Sequence, residues 1–424
     1  MLATSALEPP SAGRRLLSAA TLGVACAVGA CGAKTPLEVP DAGLFADGSD
    51  VAMPPPVCVE PRTGDGLYTV GLQTTATHGM VDVFFLVDRT GSMGDEIDNI
   101  RTTLNTLIAP GLARAIPDLG IGAATYADFP IDPYGHPSDE PFRVDQPVIT
   151  EITPLQGALD RITVGGGGDG PEALTEALYQ LATGGGLAPF VPMAPGCRRP
   201  GVGYACFRPR AQAVILVVTD APTHNGPFAN SHAYDSSSFS PGPAPHTYQQ
   251  MLAALVPTLH PYVIGINSGT EPDSGRAGLV RLARDTGALA ADGTELVFDI
   301  GPDGAGLGEQ VVRSIERFES EVRFDASARA WDLAGTGPVG FVQGVRAGVA
   351  TPATQVQRTD ATTFYGVVPG TTLGFELVLD RSRLQPSAQE QRITVRVEFV
   401  ADGRALLGHQ DVVVVVPPRG QPCP

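Results

Sequence analysis

The sequence predicts an α/β domain built on a mostly parallel, doubly wound sheet, with an all-β sandwich flanking it. Three observations carry this. Two short and almost continuously apolar runs, VDVFFLVD (81–88) and AVILVVTD (213–220), each end in Asp, as strands buried on both faces can. Segments with helical apolar spacing alternate with such runs, and that alternation implies a parallel sheet covered by helices on both faces. After residue 321 the apolar period changes to two, the period of half-buried strands.

In chain order, Arg14 and Arg15 precede the apolar run Leu16 to Ala30. A basic start, a short apolar middle and small residues before a cut describe a secretory signal peptide over 1–30. Val28-Gly29-Ala30 before Cys31 resembles the lipobox of bacterial lipoproteins, which implies that Cys31 is lipidated. Export, a lipid anchor and a place at the outer membrane or cell surface are therefore expected, with Gly32 pointing to the outer membrane. No later stretch reaches about 18 uninterrupted apolar residues, so no transmembrane helix is expected. Residues 31–57 are rich in Pro, Gly and Asp and read as a flexible tether.

Within 58–79, GLYTVGLQ (66–73) reads as a strand. The α/β domain is assigned to 80–321. Its first strand is followed by a helix over 95–114, with Ile97, Ile100, Leu104, Leu107 and Ile108 at helical spacing and Pro110 kinking or ending it. A strand at 119–128 and a helix at 171–183, opened by Pro171, come next. Beyond the strand at 213–220, Tyr248 to Leu259 reads as helix, 261–267 as strand, and 276–286 and 305–318 as helices. In 322–424, Leu373, Phe375, Leu377 and Leu379 alternate with polar or small residues, and so do Ile393, Val395, Val397 and Phe399. Asp402-Gly403 is a hairpin signal, and DVVVVVP (411–417) is the last strand. The 66–73 strand could complete this sandwich, with the α/β domain inserted in it. A separate C-terminal sandwich fits the pattern as well.

Composition narrows the function. Among 424 residues, 43% are hydrophobic and 17% charged, which is enough apolar material for a sizeable core. Gly 51 and Pro 39 make about a fifth of the chain, loop-rich but short of general disorder. The net charge of −17 offers nothing to neutralise phosphates, so no nucleic-acid partner is expected, and cations are. Lys34 is the only lysine, which removes a Walker A loop, a Schiff-base lysine and a Ser–Lys dyad from the folded body.

Beyond Cys31, the cysteines Cys58, Cys197, Cys206 and Cys423 suit an oxidising compartment, and three pairings can be drawn among them. Cys197 and Cys206 flank a short Gly/Pro/Arg loop and can close it, which leaves Cys58 for Cys423. No CxxC or HExxH motif supports zinc. Arg198, Arg199, Arg208 and Arg210 read as a solvated basic loop or a ligand contact.

Polar residues gather at the carboxyl ends of the strands, where ligands of such folds bind. Asp88-Arg89-Thr90-Gly91-Ser92 follows the first buried strand, Asp220 closes another, and Glu172 stands at a loop-to-helix boundary after GGGGDGP. Taken alone, Thr90 and Ser92 could simply cap a helix. Three carboxylates from separated loops plus two hydroxyls form an all-oxygen set for a hard cation such as Mg²⁺ or Ca²⁺.

The pieces VDVFFLVDRTGSMGDEI (81–97), IGAATYADFPIDPYG (121–135), GDGPEALTEAL (168–178) and VTDAPTHNG (218–226) resemble, in order and spacing, a von Willebrand factor A domain with a metal-ion-dependent adhesion site. More narrowly, they are similar to the I-like domain of integrin β subunits, which is likewise inserted in a sandwich. The resemblance implies that Asp88, Thr90, Ser92, Glu172 and Asp220 hold Mg²⁺ and that an acidic group of a partner completes its coordination. It implies an adjacent cation, Ca²⁺, at Asp95 and Glu96, with Glu96 where the family has Asp. It implies a third site at Asp128, Asp169 and Glu172, although Gly167 stands where the family has Asn.

Bottom-up, Asp95, Glu96 and Asp98 equally suit the positive end of a helix, and Gly165–Gly168 could cradle a phosphate. No lysine lies near that loop, and Asp169 and Glu172 would repel an anion. The function expected is a membrane-anchored lipoprotein that binds a protein or other carboxylate-bearing ligand through a cation, not an enzyme. The alternative is a metal-dependent hydrolase using the same acids. Against it stand the missing first Gly of a GxSxG elbow and the lack of a His within the metal motifs, with only His224 close behind Asp220.

Overall fold

The computed structural model describes residues 55–62, 66–228, 232–270, 275–332 and 339–424. The expected leader, Cys31 and the tether up to residue 54 lie outside them. Val57, given to the tether by composition, is already in a strand. The chain first forms β1 (Val57–Cys58) and β2 (Leu67–Thr75). The α/β domain follows as β3 (Met80–Asp88), α1 (Gly94–Thr103), α2 (Ala109–Ala115), β4 (Asp118–Tyr126), β5 (Arg143–Ile149), α3 (Thr153–Leu159), α4 (Leu174–Thr183), β6 (Gln212–Thr219), α5 (Tyr248–Leu259), β7 (Tyr262–Asn267), α6 (Arg276–Asp285), β8 (Val297–Asp299) and α7 (Leu307–Glu321). The last part comprises β9 (Phe324–Asp332), β10 (Val342–Thr351), β11 (Arg358–Thr359), β12 (Thr363–Val367), β13 (Thr372–Asp380), β14 (Gln391–Ala401) and β15 (Ala405–Val416).

The α/β sheet runs β5-β4-β3-β6-β7-β8, parallel except for the antiparallel edge strand β5. Successive side chains of β3 point to opposite faces, so its apolar run feeds two cores. Val83, Phe85 and Val87 pack with Ile97, Leu104, Val311, Ile315 and Phe318 on one side. Phe84 and Leu86 pack with Leu178, Leu181, Met251 and Leu255 on the other. This is the doubly wound layering predicted from the sequence.

Three local features differ from the prediction. The 95–114 helix is interrupted: residues Leu104–Ile108 widen into a π turn, and Pro110 sits in the first turn of α2 instead of ending the helix. Pro110 has no N–H to donate, and the wider turn absorbs the missing bond. Glu172 lies outside α4, whose first residue is Leu174. Its N–H donates to the Pro222 carbonyl at 2.9 Å and its own carbonyl accepts from His224 N–H at 2.9 Å, so it is held extended against that loop. Arg208 and Arg210 are not loosely solvated. Arg208 grips the fully buried Asp82 through its backbone N–H and its Nε, both at 2.6 Å, and also pairs with Asp118; Arg210 pairs with Glu398 at 2.8 Å.

The sandwich has a six-stranded sheet, β1-β15-β14-β9-β12-β11, over a three-stranded one, β10-β13-β2. β2 pairs with β13 along its whole length and β1 pairs with β15, so the α/β domain lies between two segments of one sandwich. Val70, Leu72, Phe375, Leu377, Val395, Val397 and Phe399 meet in its core. Cys58 bonds to Cys423 and Cys197 to Cys206, with Cα separations of 5.8 and 5.6 Å. The β14–β15 hairpin turns at Asp402 (φ 49°) and Gly403 (φ 68°), the left-handed pair that tight hairpins require. From that turn, Asp402 Oδ2 accepts from the Tyr262 hydroxyl at 2.8 Å, which ties the sandwich to β7. Among the described residues no helix is long and apolar enough to cross a membrane.

Candidate metal centre

The parallel strands β3, β6 and β7 end at one edge, and the loops leaving them wall an open cleft of about 430 Å³. Thr90, Ser92, Glu96, Glu172 and Asp220 line it, together with Gly166–Gly170 and Ser268. Of the five residues expected to share a cation, four thus face one space, with the fifth, Asp88, buried beside Thr90. The register of β3 on β6 pairs Val87 with Val218, which brings Asp88 level with Thr219. Thr219 Oγ1 donates to Asp88 Oδ2 at 2.8 Å, and Thr90 donates to Oδ1 through Oγ1 at 2.7 Å and through its N–H at 3.0 Å. Burial pushes Asp88 up to about 6, against the lowering effect of these donors.

Glu172 is the most crowded acid of the site. Burial, followed by the charges of Asp88, Asp128, Asp139 and Asp169, pushes it up to about 11. Its Oε2, Asp220 Oδ1 and Glu96 Oε2 are all buried without a hydrogen-bond partner. Buried oxygens are seldom left so, and clustered carboxylates repel one another unless a positive charge sits among them. Carboxylate and hydroxyl donors are the set that Mg²⁺ and Ca²⁺ prefer, so these residues fit such a cation.

The adjacent pair divides. Asp95 is exposed, whereas Glu96 is buried and raised by burial, with Asp220 and Asp95 adding to the effect and Ser268 opposing it. Asp128 and Asp169, expected at a third site with Glu172, converge on His224. His224 Nε2 lies 3.3 Å from Asp128 Oδ2 and 3.2 Å from Asp169 Oδ1. Glu172 lies near enough for both acids to raise it. At position 167 there is no side chain to contribute; Gly167, at φ 81°, instead donates its N–H to Asp139 Oδ2 at 2.8 Å.

Sequence reasoning missed two residues here, and the partners of a third. Asp139 is buried and holds the His136 and Gly167 amides, which positions the glycine loop walling the cleft. Tyr234 donates to Asp128 Oδ1. His224 was visible as a neighbour of Asp220, but not as a partner of two acids. The only signal for it was its place in the same loop.

Fold and side chains define a class: a doubly wound α/β domain, set into a β-sandwich, with an oxygen-lined cleft at the carboxyl edge of its sheet. No protein-family model matches the chain, nor does any curated protein. Among solved structures it is similar to a von Willebrand factor type A protein from Catenulispora acidiphila, at 15% identity over 85% of this chain and 72% of that one, with a TM-score of 0.37. It is also similar to the pilus adhesin SpaC from Lactobacillus rhamnosus GG in its open conformation, at 12% identity over 82% of this chain but only 45% of the adhesin, with a TM-score of 0.34. Proximal thread matrix protein 1 from the mussel byssus matches over 57% of this chain and 50% of its own, at 10% identity and a TM-score of 0.33.

Proposed function

We propose that this chain is an exported, lipid-anchored adhesion protein that captures an acidic group of a protein or other ligand through a divalent cation. Asp88, Thr90, Ser92, Glu172 and Asp220 would hold Mg²⁺, with Ca²⁺ beside it at Asp95 and Glu96. When bound, the cation supplies a Lewis-acidic position on which a partner carboxylate can sit. The observation that carries this reading is the pair of buried, unpartnered oxygens, Glu172 Oε2 and Asp220 Oδ1, on acids that line one open cleft. The two disulfides suit an extracytoplasmic setting. Cys31 would carry the anchor.

A hydrolase would need a base poised beside a nucleophile. His224 has both ring nitrogens engaged, one by Asp128 and Asp169 and the other by the His232 carbonyl. The test is capture from the native cell surface, with Mg²⁺ and with EDTA, by the wild-type chain and by Asp220→Ala. Capture that needs Mg²⁺ and disappears in the variant supports the reading. Capture indifferent to both EDTA and the substitution rejects it, and metal-dependent turnover of a substrate would favour the hydrolase.

A further inference from the structure

We propose that Asp128, Asp169 and His224 form a cation site of mixed nitrogen and oxygen donors, selective for a borderline divalent metal ion of the Zn²⁺ kind over Mg²⁺ or Ca²⁺. It needs none of the residues offered for the adhesive cation, so the two ideas fail separately.

The way His224 is held between its partners carries the argument. Its Nδ1 lies 2.6 Å from the His232 carbonyl oxygen. A carbonyl can only accept, so Nδ1 bears a proton, and Nε2 is the nitrogen that a metal ion can take in exchange for a proton. Nε2 faces two carboxylate oxygens, Asp128 Oδ2 and Asp169 Oδ1. Once Nε2 is deprotonated all three atoms are acceptors, and a cation among them takes the place of the proton they would otherwise share.

The other side of each buried group is already occupied. Tyr234 O–H and the Phe129 N–H both donate to Asp128 Oδ1, which leaves Oδ2 of this fully buried residue facing His224 Nε2 with no hydrogen bond that meets ordinary geometry. A ligating imidazole whose far N–H is held by a carbonyl, next to a carboxylate whose second oxygen is held by donors, is the arrangement that orients metal ligands.

Distances agree with a small ion. The three ligand atoms lie within 4.8 Å of one another. With metal–ligand lengths of about 2.0–2.2 Å, tetrahedral donors stand about 3.3–3.6 Å apart. The two separations from His224 Nε2, 3.2 and 3.3 Å, fall at that edge. Imidazole suits Zn²⁺, whereas Ca²⁺ seeks six to eight oxygens. Asp169 is about one-third exposed, which gives the ion a way in and leaves room for water as a fourth ligand. The site would pin together the loops that carry Asp128, Asp169 and His224, and residues 166–170 of the second loop wall the cleft.

The experiment is calorimetric titration of the purified, EDTA-stripped full chain with Zn²⁺ in excess Mg²⁺ and Ca²⁺, beside His224→Ala and Asp169→Asn. One equivalent of Zn²⁺ is expected to bind despite the competitors and to raise Tm. Affinity should fall by more than about tenfold in each variant. Asp169, being on the surface, tests the site even if His224→Ala fails to fold. Anomalous scattering at the zinc edge should place the ion between the three side chains. No Zn²⁺ binding by the wild type, displacement of Zn²⁺ by Mg²⁺, or unchanged affinity in Asp169→Asn overturns the proposal and leaves His224 as the imidazolium of a buried ion-pair triad.

Discussion

Thr219 Oγ1 donates to Asp88 Oδ2 at 2.8 Å, joining the carboxyl ends of two neighbouring parallel strands beneath the cleft. The same hydroxyl accepts from Ala221 N–H at 3.1 Å, so one side chain orients both the Asp88 carboxylate and the backbone just after Asp220. Thr219→Val keeps the shape and removes both bonds. Hydrogen bonds to charged groups are worth about 1.5–3 kcal/mol, and a loss of that order is expected in urea denaturation. Thr219→Ser should recover most of it. A valine variant as stable as wild type would show that the link does not matter.

Removal of Asp220 addresses the cation. Mg²⁺ at 100 times its Kd should stabilise the wild-type fold by about 2.7 kcal/mol, read as a rise in Tm. Asp220 follows β6, whose residues are buried throughout, so Asp220→Ala should leave far-UV circular dichroism unchanged and abolish the Mg²⁺-dependent rise. An undiminished rise in the variant would remove Asp220 from the site.

Asp139 never touches the proposed cation, yet it accepts from the His136 N–H at 2.7 Å and the Gly167 N–H at 2.8 Å. A Cβ at Gly166 would lie 1.8 Å from its Oδ1, so loop and carboxylate fit only because that residue is glycine. Asp139→Ala should therefore weaken Mg²⁺ binding by about tenfold through loss of loop order. Isothermal titration that finds equal affinity would confine Asp139 to a structural role.

The parts of this fold that could be read from sequence are those with strong local patterns. β3 and β6 announce themselves because burial on both faces demands an unbroken apolar run. β5 does not: RVDQPVI is a half-buried edge strand with neither an apolar run nor clean alternation. Asp88, Thr90 and Ser92 cluster at the cleft because they follow one strand within a few residues. The link between His224 and Asp128 was hidden because it joins two loops on distant parts of the chain, and no spacing rule reaches across them. Likewise Glu172 sits before α4, since its backbone prefers the Pro222–His224 loop to a first helical turn.

The two disulfides should differ in weight. Cys58–Cys423 closes a loop with a sequence separation of 365, against 9 for Cys197–Cys206. In the chain-entropy picture the long loop is worth roughly twice the short one. Replacing Cys58 and Cys423 with Ala should lower the urea midpoint about twice as far as replacing Cys197 and Cys206. Equal shifts would mean that the reduced, unfolded chain already keeps its ends together.

Asp402 gives a pH dependence at the junction of the two domains. Its carboxylate accepts from Tyr262 O–H at 2.8 Å and from Asp325 N–H at 2.9 Å. Burial raises it above the usual 3.8, the nearby Asp325 adds to the rise, and these donors and His78 oppose it. The folded state therefore holds this proton more tightly than the unfolded one does. Its contribution to stability is full below about pH 3.8 and is lost as pH rises through the raised folded value. Asp402→Asn keeps the shape and cannot ionise, so the difference in urea midpoint between variant and wild type should shift in the variant's favour from pH 4 to pH 7. If that difference stays constant over the interval, Asp402 is ionised throughout in the folded protein and the junction is not pH-sensitive through it.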